Sequence, residues 1–424
     1  MASIFLPLPS AFPLNPFCNT RSSVQRIPPL RLPSSPASGC KSFGSELGRF
    51  PESQICSRSM NTMTIPSAVA KDKSNSVEMS APLERTQEDF PSQSPDPIPV
   101  LSLAEVTSRL QEFSLPKGKL CGAMYSSVVG GITLDPAAMV VPLDDHMVHR
   151  GHAVFDTATI FDGHLYELDA HLDRLLRSAS KAKLTPPFPR SVLRDILVQT
   201  VAASGCTEGT LRYWLSAGPG GFGLSPTECE RESFYAVVIT ERHKGPVDGV
   251  KVITSSIPIK PPQFATMKST NYLPNAQVLM EAEENGAFQG IWLDQEGFVA
   301  EAANMNVCFV SGGELLLPSF ANILSGCTAK RLLILAQQFI SKQGASDGLL
   351  KGIKEAKITV EEGKAADEMM LVVSSYLVVP VVEWDGQPIG KGTVGPVTKA
   401  LLSLLEKDVF EGPPEVREPV PYRR

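Results

Sequence analysis

What most constrains this chain is how its short apolar runs are joined. Asp162-Gly163 separates the run Thr157–Phe161 from Leu165–Glu167. An Asp-Gly link between two strand-like runs closes an antiparallel hairpin, because both residues tolerate the positive φ of that turn. Asp294-Gln-Glu-Gly297 makes a second hairpin link ahead of Phe298–Ala300. Helices alternate with strands, yet sheets made partly of hairpins are not the all-parallel sheet of a doubly wound fold. The class is therefore α+β.

The rest of the chain follows from periodicity and end signals. Ser102–Phe113 reads as a helix, with Ser102 as cap and Glu105 three residues on, a capping box. Strands are expected at 122–129, 140–142, 157–161, 165–167, 210–217 and 233–240. Between them lie two helices, 168–183 and 186–201, the first with Leu172, Leu175, Leu176 and Ala179 on one face. Glu241–Gly249 is polar and holds Gly-Pro, which suggests a boundary. Beyond it, strands are expected at 250–255, 290–294, 298–300, 306–310, 314–318, 355–358, 369–374 and 379–384, with helices at 274–284, 328–342 and 397–406. The domain reading is 1–58 a transit peptide, 59–100 a disordered linker, 101–241 an N-terminal α+β domain and 242–424 a C-terminal one. No internal repeat is evident.

The transit peptide rests on composition. The first acidic residue is Glu46, while Arg21, Arg26, Arg31, Lys41, Arg49 and Arg58 are basic amid Ser and Pro. This is the signature of an organelle import segment, and the opening Met-Ala-Ser favours the plastid stroma. Net charge is −6, which argues against nucleic acid or an anionic membrane as partner. No run approaches the roughly 18 apolar residues of a spanning helix. None of the eight cysteines form a Cys-x-x-Cys pair, so neither a zinc site nor a disulfide framework is indicated. His146, His149 and His152 have metal-like spacing, but Arg150-Gly151 interrupts any helix that would align them and no carboxylate cluster supports them. No metal is expected. Gly218-Pro219-Gly220-Gly221 lacks both phosphate-loop spacings and reads as a mobile cleft loop.

Three segments carry chemistry. Lys268 lies between a Pro-rich loop and a helix start, where its amine can point into a cleft and condense with an aldehyde. Glu301 follows apolar Phe298-Val-Ala300 and precedes small Ala302-Ala303, so a flat ring could approach its carboxylate. Gly326-Cys327-Thr328 opens a helix, whose free N–H groups and dipole suit a phosphate. Arg174 could add the countercharge. Each residue alone has a plainer reading: a solvated lysine, an edge-strand charge, an ordinary helix cap, a surface arginine. Together they offer the amine, carboxylate and phosphate turn that pyridoxal 5′-phosphate (PLP) requires.

These motifs, in this order, resemble the class IV (fold-type IV) PLP enzymes, which include D-amino-acid transaminases, branched-chain aminotransferases and 4-amino-4-deoxychorismate lyases. The resemblance covers about residues 120–405. It is carried by His149-Arg-Gly151…Phe155, Leu168-Asp-Ala-His171-Leu-Asp-Arg174-Leu, Lys268-Ser-Thr-Asn271, Val299-Ala-Glu301-Ala-Ala-Asn-Met-Asn306-Val, Ile323-Leu-Ser-Gly-Cys-Thr328, Ser374-Ser375 and Gly395-Pro-Val-Thr398. It implies two α+β domains with PLP in the cleft between them, in a homodimer. Lys268 would be the Schiff-base lysine and proton shuttle, and Glu301 the partner of the ring nitrogen. Arg174, Thr328 and Ser375 would hold the phosphate, and Asn306, Cys327 and Ser374 complete the cofactor set.

The substrate is a small molecule, either an amino acid or aminodeoxychorismate. Bacterial D-amino-acid transaminases carry an Arg-x-His carboxylate trap near the interdomain loop; Arg212-Tyr-Trp-Leu-Ser-Ala-Gly-Pro-Gly has no such pair, and Phe155 stands where a tyrosine often helps hold substrate. That loop, with the import segment, is similar to the plant plastid D-amino-acid transaminases and aminodeoxychorismate lyases. The expected activity is transfer of an amino group from a D-amino acid to a 2-oxo acid. The alternatives are a lyase giving 4-aminobenzoate and pyruvate for folate synthesis, both activities in one site, or a PLP-binding protein without turnover.

Overall fold

Asp162 and Gly163 adopt φ of 44° and 71° and close the hairpin that the sequence predicts. The computed structural model that shows this describes residues 98–114, 120–241, 244–343 and 348–422. The expected import segment, 1–58, and residues 59–97 of the expected linker lie outside them. The capping box forms: Ser102 N–H donates to Glu105 Oε2 at 2.7 Å, and Glu105 N–H to Ser102 Oγ at 3.3 Å, starting helix α1 (Leu103–Ser114).

Six strands follow: β1 (Cys121–Ser126), β2 (Gly131–Thr133), β3 (Ala153–Phe161), β4 (His164–Tyr166), β5 (Gly209–Ser216) and β6 (Ser233–Ile239). Helix α2 (His146–Arg150) precedes β3, while α3 (Leu168–Lys181) and α4 (Arg190–Ser204) cover the sheet. Leu172, Leu175 and Ala179 of α3 and Leu193 and Leu197 of α4 pack with Val154, Leu211 and Phe234 in one buried cluster. The expected strand 140–142 is absent; the segment joins no ladder, and Pro142 has no N–H to give one.

The second sheet contains β7 (Val250–Thr254), β8 (Gln289–Leu293), β9 (Val299–Ala302), β10 (Asn306–Ser311), β11 (Glu314–Leu317), β12 (Gly352–Glu355), β13 (Glu368–Val373), β14 (Leu377–Trp384) and β15 (Gln387–Pro388). Strand 355–358 was expected; the ladder instead falls at 352–355, paired parallel with β11. α5 (Pro262–Ala265) and α6 (Leu273–Glu284) lie between β7 and β8, α7 (Cys327–Gln343) after β11, and α8 (Val360–Lys364) and α9 (Pro396–Glu411) later. Leu332 and Ala336 of α7 pack with Leu401 and Leu405 of α9 over Met370 and Val378. The last strand, β16 (Arg417–Pro419), returns to the first sheet beside β4, giving the order β16-β4-β3-β5-β6-β1-β2. No described helix is long and apolar enough to cross a membrane.

Candidate active site

Side chains alternate between faces along a strand, and on β3 the alternation divides the labour. Val154, Ala158 and Ile160 enter the first core, whereas Phe155, Thr157 and Thr159 line a cavity of about 320 Å³. Register places Thr157 opposite Arg212 and Thr159 opposite Thr210 on β5, so those residues line it too. The loop before α6 is stitched to β3: Phe155 N–H donates to Lys268 O at 2.8 Å and Thr270 N–H to Ala153 O at 3.0 Å. Ser178 Oγ of α3 accepts from Lys268 N–H at 3.2 Å. Lys268 is thereby fixed at its backbone while its side chain enters the cavity.

All eight residues singled out in the sequence, Arg174, Lys268, Glu301, Asn306, Cys327, Thr328, Ser374 and Ser375, line this one cavity. Lys268 Nζ donates to Tyr272 Oη at 3.2 Å and lies 4.8 Å from the centroid of the Phe155 ring. Glu301 is buried on β9. Burial pushes its carboxyl up to about 8, against the pull of Lys260, the Leu324 N–H and Lys268. Leu324 N–H donates to Glu301 Oε2 at 3.3 Å, and Asn306 Nδ2 donates to Leu324 O at 2.9 Å. The turn ahead of α7 is thus held from both sides. A side chain at Gly326 would collide with Asn306, which explains the glycine.

Behind Arg174, which lines the cavity, lies a buried polar network. Asp156, fully buried, takes Arg174 Nε at 2.8 Å, Arg174 Nη2 at 2.7 Å and His171 Nδ1 at 2.8 Å. Burial alone would raise the Asp156 carboxyl, but Arg174 and His171 hold it well below the ordinary carboxylate range. Burial opposes charge on His171; Cys327 and Asp156 overcome it and push the imidazole up to about 10. Its second nitrogen faces Ser374 Oγ at 3.4 Å, and Thr328 Oγ1 donates to the same oxygen at 3.1 Å. Ser374 Oγ thus accepts from Thr328 and lies against the second nitrogen of His171, with Ser374 itself lining the cavity.

This arrangement fits a phosphorylated pyridine aldehyde. The start of α7 presents free N–H groups, flanked by hydroxyls and two buried cations, as a phosphate dianion needs. A buried carboxyl and a lysine amine stand in the same chamber. Sequence reasoning gave no role to Asp156, His171, Lys260, Arg212 or Tyr272. Two carried a signal: Asp156 breaks an apolar face of β3, and His171 lies three residues before Arg174, one helical turn away. Lys260, in a Pro-rich loop, carried none. The glycine loop 218–221 does not line the cavity; it lies against α2, where His146 N–H donates to Gly218 O and Gly220 N–H to Asp144 O. Among the described residues no group of three His, Cys, Asp or Glu could hold a metal ion.

Comparison with known proteins bears on this geometry. The family profile described as amino-transferase class IV matches residues 153–384. The chain is 59% identical over 327 residues to a chloroplastic D-amino-acid transaminase of Arabidopsis thaliana, covering 77% of this chain and 86% of that protein. It is 27% identical to a D-alanine aminotransferase of Bacillus licheniformis, covering 66% and 95%. A branched-chain amino acid aminotransferase from T.th., solved with pyridoxamine 5′-phosphate, superposes with a TM-score of 0.65 at 24% identity, covering 71% of this chain and 99% of that one. Fold and site define an α+β, fold-type IV enzyme that works through a phosphorylated cofactor. The chain belongs to the class IV aminotransferases, and its cofactor is PLP.

Proposed function

We propose that this enzyme is a D-amino-acid transaminase, moving an amino group from a D-amino acid to a 2-oxo acid. The observation that carries the reading is one cavity lined by Lys268, Glu301 and Arg174, the last gripped by buried Asp156 beside His171. The 59% identity to the Arabidopsis enzyme supports the choice of substrate class. Arg174, Cys327, Thr328, Ser374 and Ser375 would hold the phosphate of PLP, with Asn306 bracing the turn. Glu301 would face the ring nitrogen, and Lys268 would carry the covalent link. When bound, PLP supplies a carbonyl that exchanges amines and a ring that withdraws electrons.

The chain's own groups then have defined tasks. The Lys268 amine would be the base that takes the proton from the substrate α-carbon and holds it at Nζ for return. Tyr272 Oη, accepting from Nζ at 3.2 Å, keeps that amine aimed. Glu301 is drawn toward its charged form by any cation beside it, because Lys260 and Lys268 already oppose the effect of its burial. Arg212 bonds only to Thr157 Oγ1, at 3.3 Å, among the described residues. Its guanidinium lines the cavity without an ion pair among the described residues and has the planar fork that receives a substrate carboxylate.

We also divide the body at 241–242, assign residues 1–58 as a plastid import segment and expect a homodimer. The relative's chloroplastic location and the basic, acid-poor opening of the chain support the plastid. The test of function is steady-state transfer from D-alanine to 2-oxoglutarate, with L-alanine and with aminodeoxychorismate in parallel. Transfer from the D-enantiomer is expected. Release of pyruvate and 4-aminobenzoate from aminodeoxychorismate, with no transfer from any D-amino acid, would replace the reading with a lyase.

A further inference from the structure

Arg174, Arg177 and Lys181 follow one another on α3 at a spacing that puts all three on one helical face. A second cavity of about 310 Å³ opens against that face. Ser178, Thr266 and Ser325 add hydroxyls to its wall, and no carboxylate lines it. It meets the first cavity at Arg174 and Leu324, which line both. Arg174 spends two donors on Asp156. Arg177 makes no hydrogen bond or ion pair among the described residues. Lys181 donates to Thr266 Oγ1 at 2.9 Å and meets no carboxylate there. Ser325 Oγ is buried without a partner among the described residues.

The wall presents cations and a hydroxyl that no carboxylate of the described residues answers. Two cations without counterions on a concave wall focus positive potential, in a chain whose net charge is −6. A buried hydroxyl without a partner costs free energy unless something completes it. A dianionic phosphate group has the charge to match two cations and enough oxygens for a guanidinium fork, an ammonium and a hydroxyl together. A carboxylate has one charge and two oxygens. The volume lies at the small end of ligand pockets. We propose that this cavity binds a second phosphate group, free or as a compact ester, beside the catalytic chamber and touching it through Arg174. The proposal goes beyond the transaminase reading and does not depend on which amino acid is consumed.

The test uses holoenzyme, so that the catalytic chamber is already filled. Binding of inorganic phosphate and of pyridoxine 5′-phosphate, which has no aldehyde to react with lysines, is followed by calorimetry and by ³¹P NMR. The Arg177→Gln/Lys181→Gln double variant is the control. Both positions are solvent-exposed, and resident cofactor content reports that the fold and the first site are intact. The expected result is one additional phosphate group per chain, weakened at least about tenfold in the double variant and by added salt, with cofactor content unchanged. Binding of the ester alone assigns the site to a phosphorylated metabolite; equal binding of both probes assigns it to phosphate itself. Equal affinity in wild type and double variant, or no additional binding, overturns the proposal. So does loss of resident cofactor in the double variant, which would move these cations into the first site. A failure of the transaminase reading would look different: no transfer from any D-amino acid, by an enzyme that still takes up the additional phosphate.

Discussion

The two ends of the catalytic cavity are built on opposite plans. Around Arg174 the polar groups are densely bonded: Asp156 accepts four hydrogen bonds, one of them from the Thr157 N–H, His171 bridges Asp156 to Ser374, and Thr328 donates to Ser374. Around Lys268 bonds are few: one to Tyr272 from the lysine, one to Thr157 from Arg212. The first end is an anchor whose charges are fixed before any ligand arrives. Donors held in place pay no reorganisation when the phosphate docks. The second end keeps its amine and guanidinium uncommitted, because groups that must take up and release protons or substrate cannot be locked into a permanent network.

The contrast can be broken from either side. Lys268→Ala should have the largest effect, lowering turnover about a thousandfold or more while thermal stability stays near wild type; retained turnover in steady-state assay would remove Lys268 from the chemistry. Asp156→Ala should do the reverse. It strands Arg174 and His171 as buried charges, at a cost of about 3–5 kcal/mol, measured by chemical denaturation, and the cofactor should dissociate with the fold. Arg212→Gln should be smaller and confined to the open end: KM for the amino acid rises about tenfold with kcat nearly unchanged. An equal fall in kcat would mean that Arg212 acts on the reacting atoms instead.

The smallest effect concerns pH. His171 is ordinarily near 6.5 and is held at about 10 in the fold. A raised value means that the folded chain binds this proton more tightly than the unfolded one. Its contribution is complete below about pH 6.5 and is lost as pH rises through about 10. His171→Asn should flatten the decline of the unfolding midpoint over that window. A variant whose profile parallels wild type would show that the imidazole is neutral there.

The sequence made each part of the cavity legible in part: Lys268 but not Tyr272 or Arg212, and Arg174 and Thr328 but not Asp156. Lys268, Glu301 and Thr328 stand in local patterns, a loop before a helix, a hairpin strand and a helix start, and each local pattern survives in the fold. The hairpin at Asp162-Gly163, the capping box at Ser102 and the helix spans are local too. Asp156 was not legible as a partner of Arg174, because their pairing depends on how α3 lies across β3. Lys260 reaches the cavity only because the Pro-rich loop folds back. The shift of strand 355–358 to 352–355 and the return of β16 to the first sheet are likewise choices of partner, which periodicity does not encode.

The most direct measurement is a single turnover on purified holoenzyme without any 2-oxo acid acceptor, given D-methionine or L-methionine, following the absorbance of the bound cofactor. D-methionine should convert the cofactor to its amine form once per chain and release one equivalent of 2-oxo acid, with L-methionine inert and Lys268→Ala silent to both. Conversion by the L-enantiomer alone, or none by either, would contradict the account.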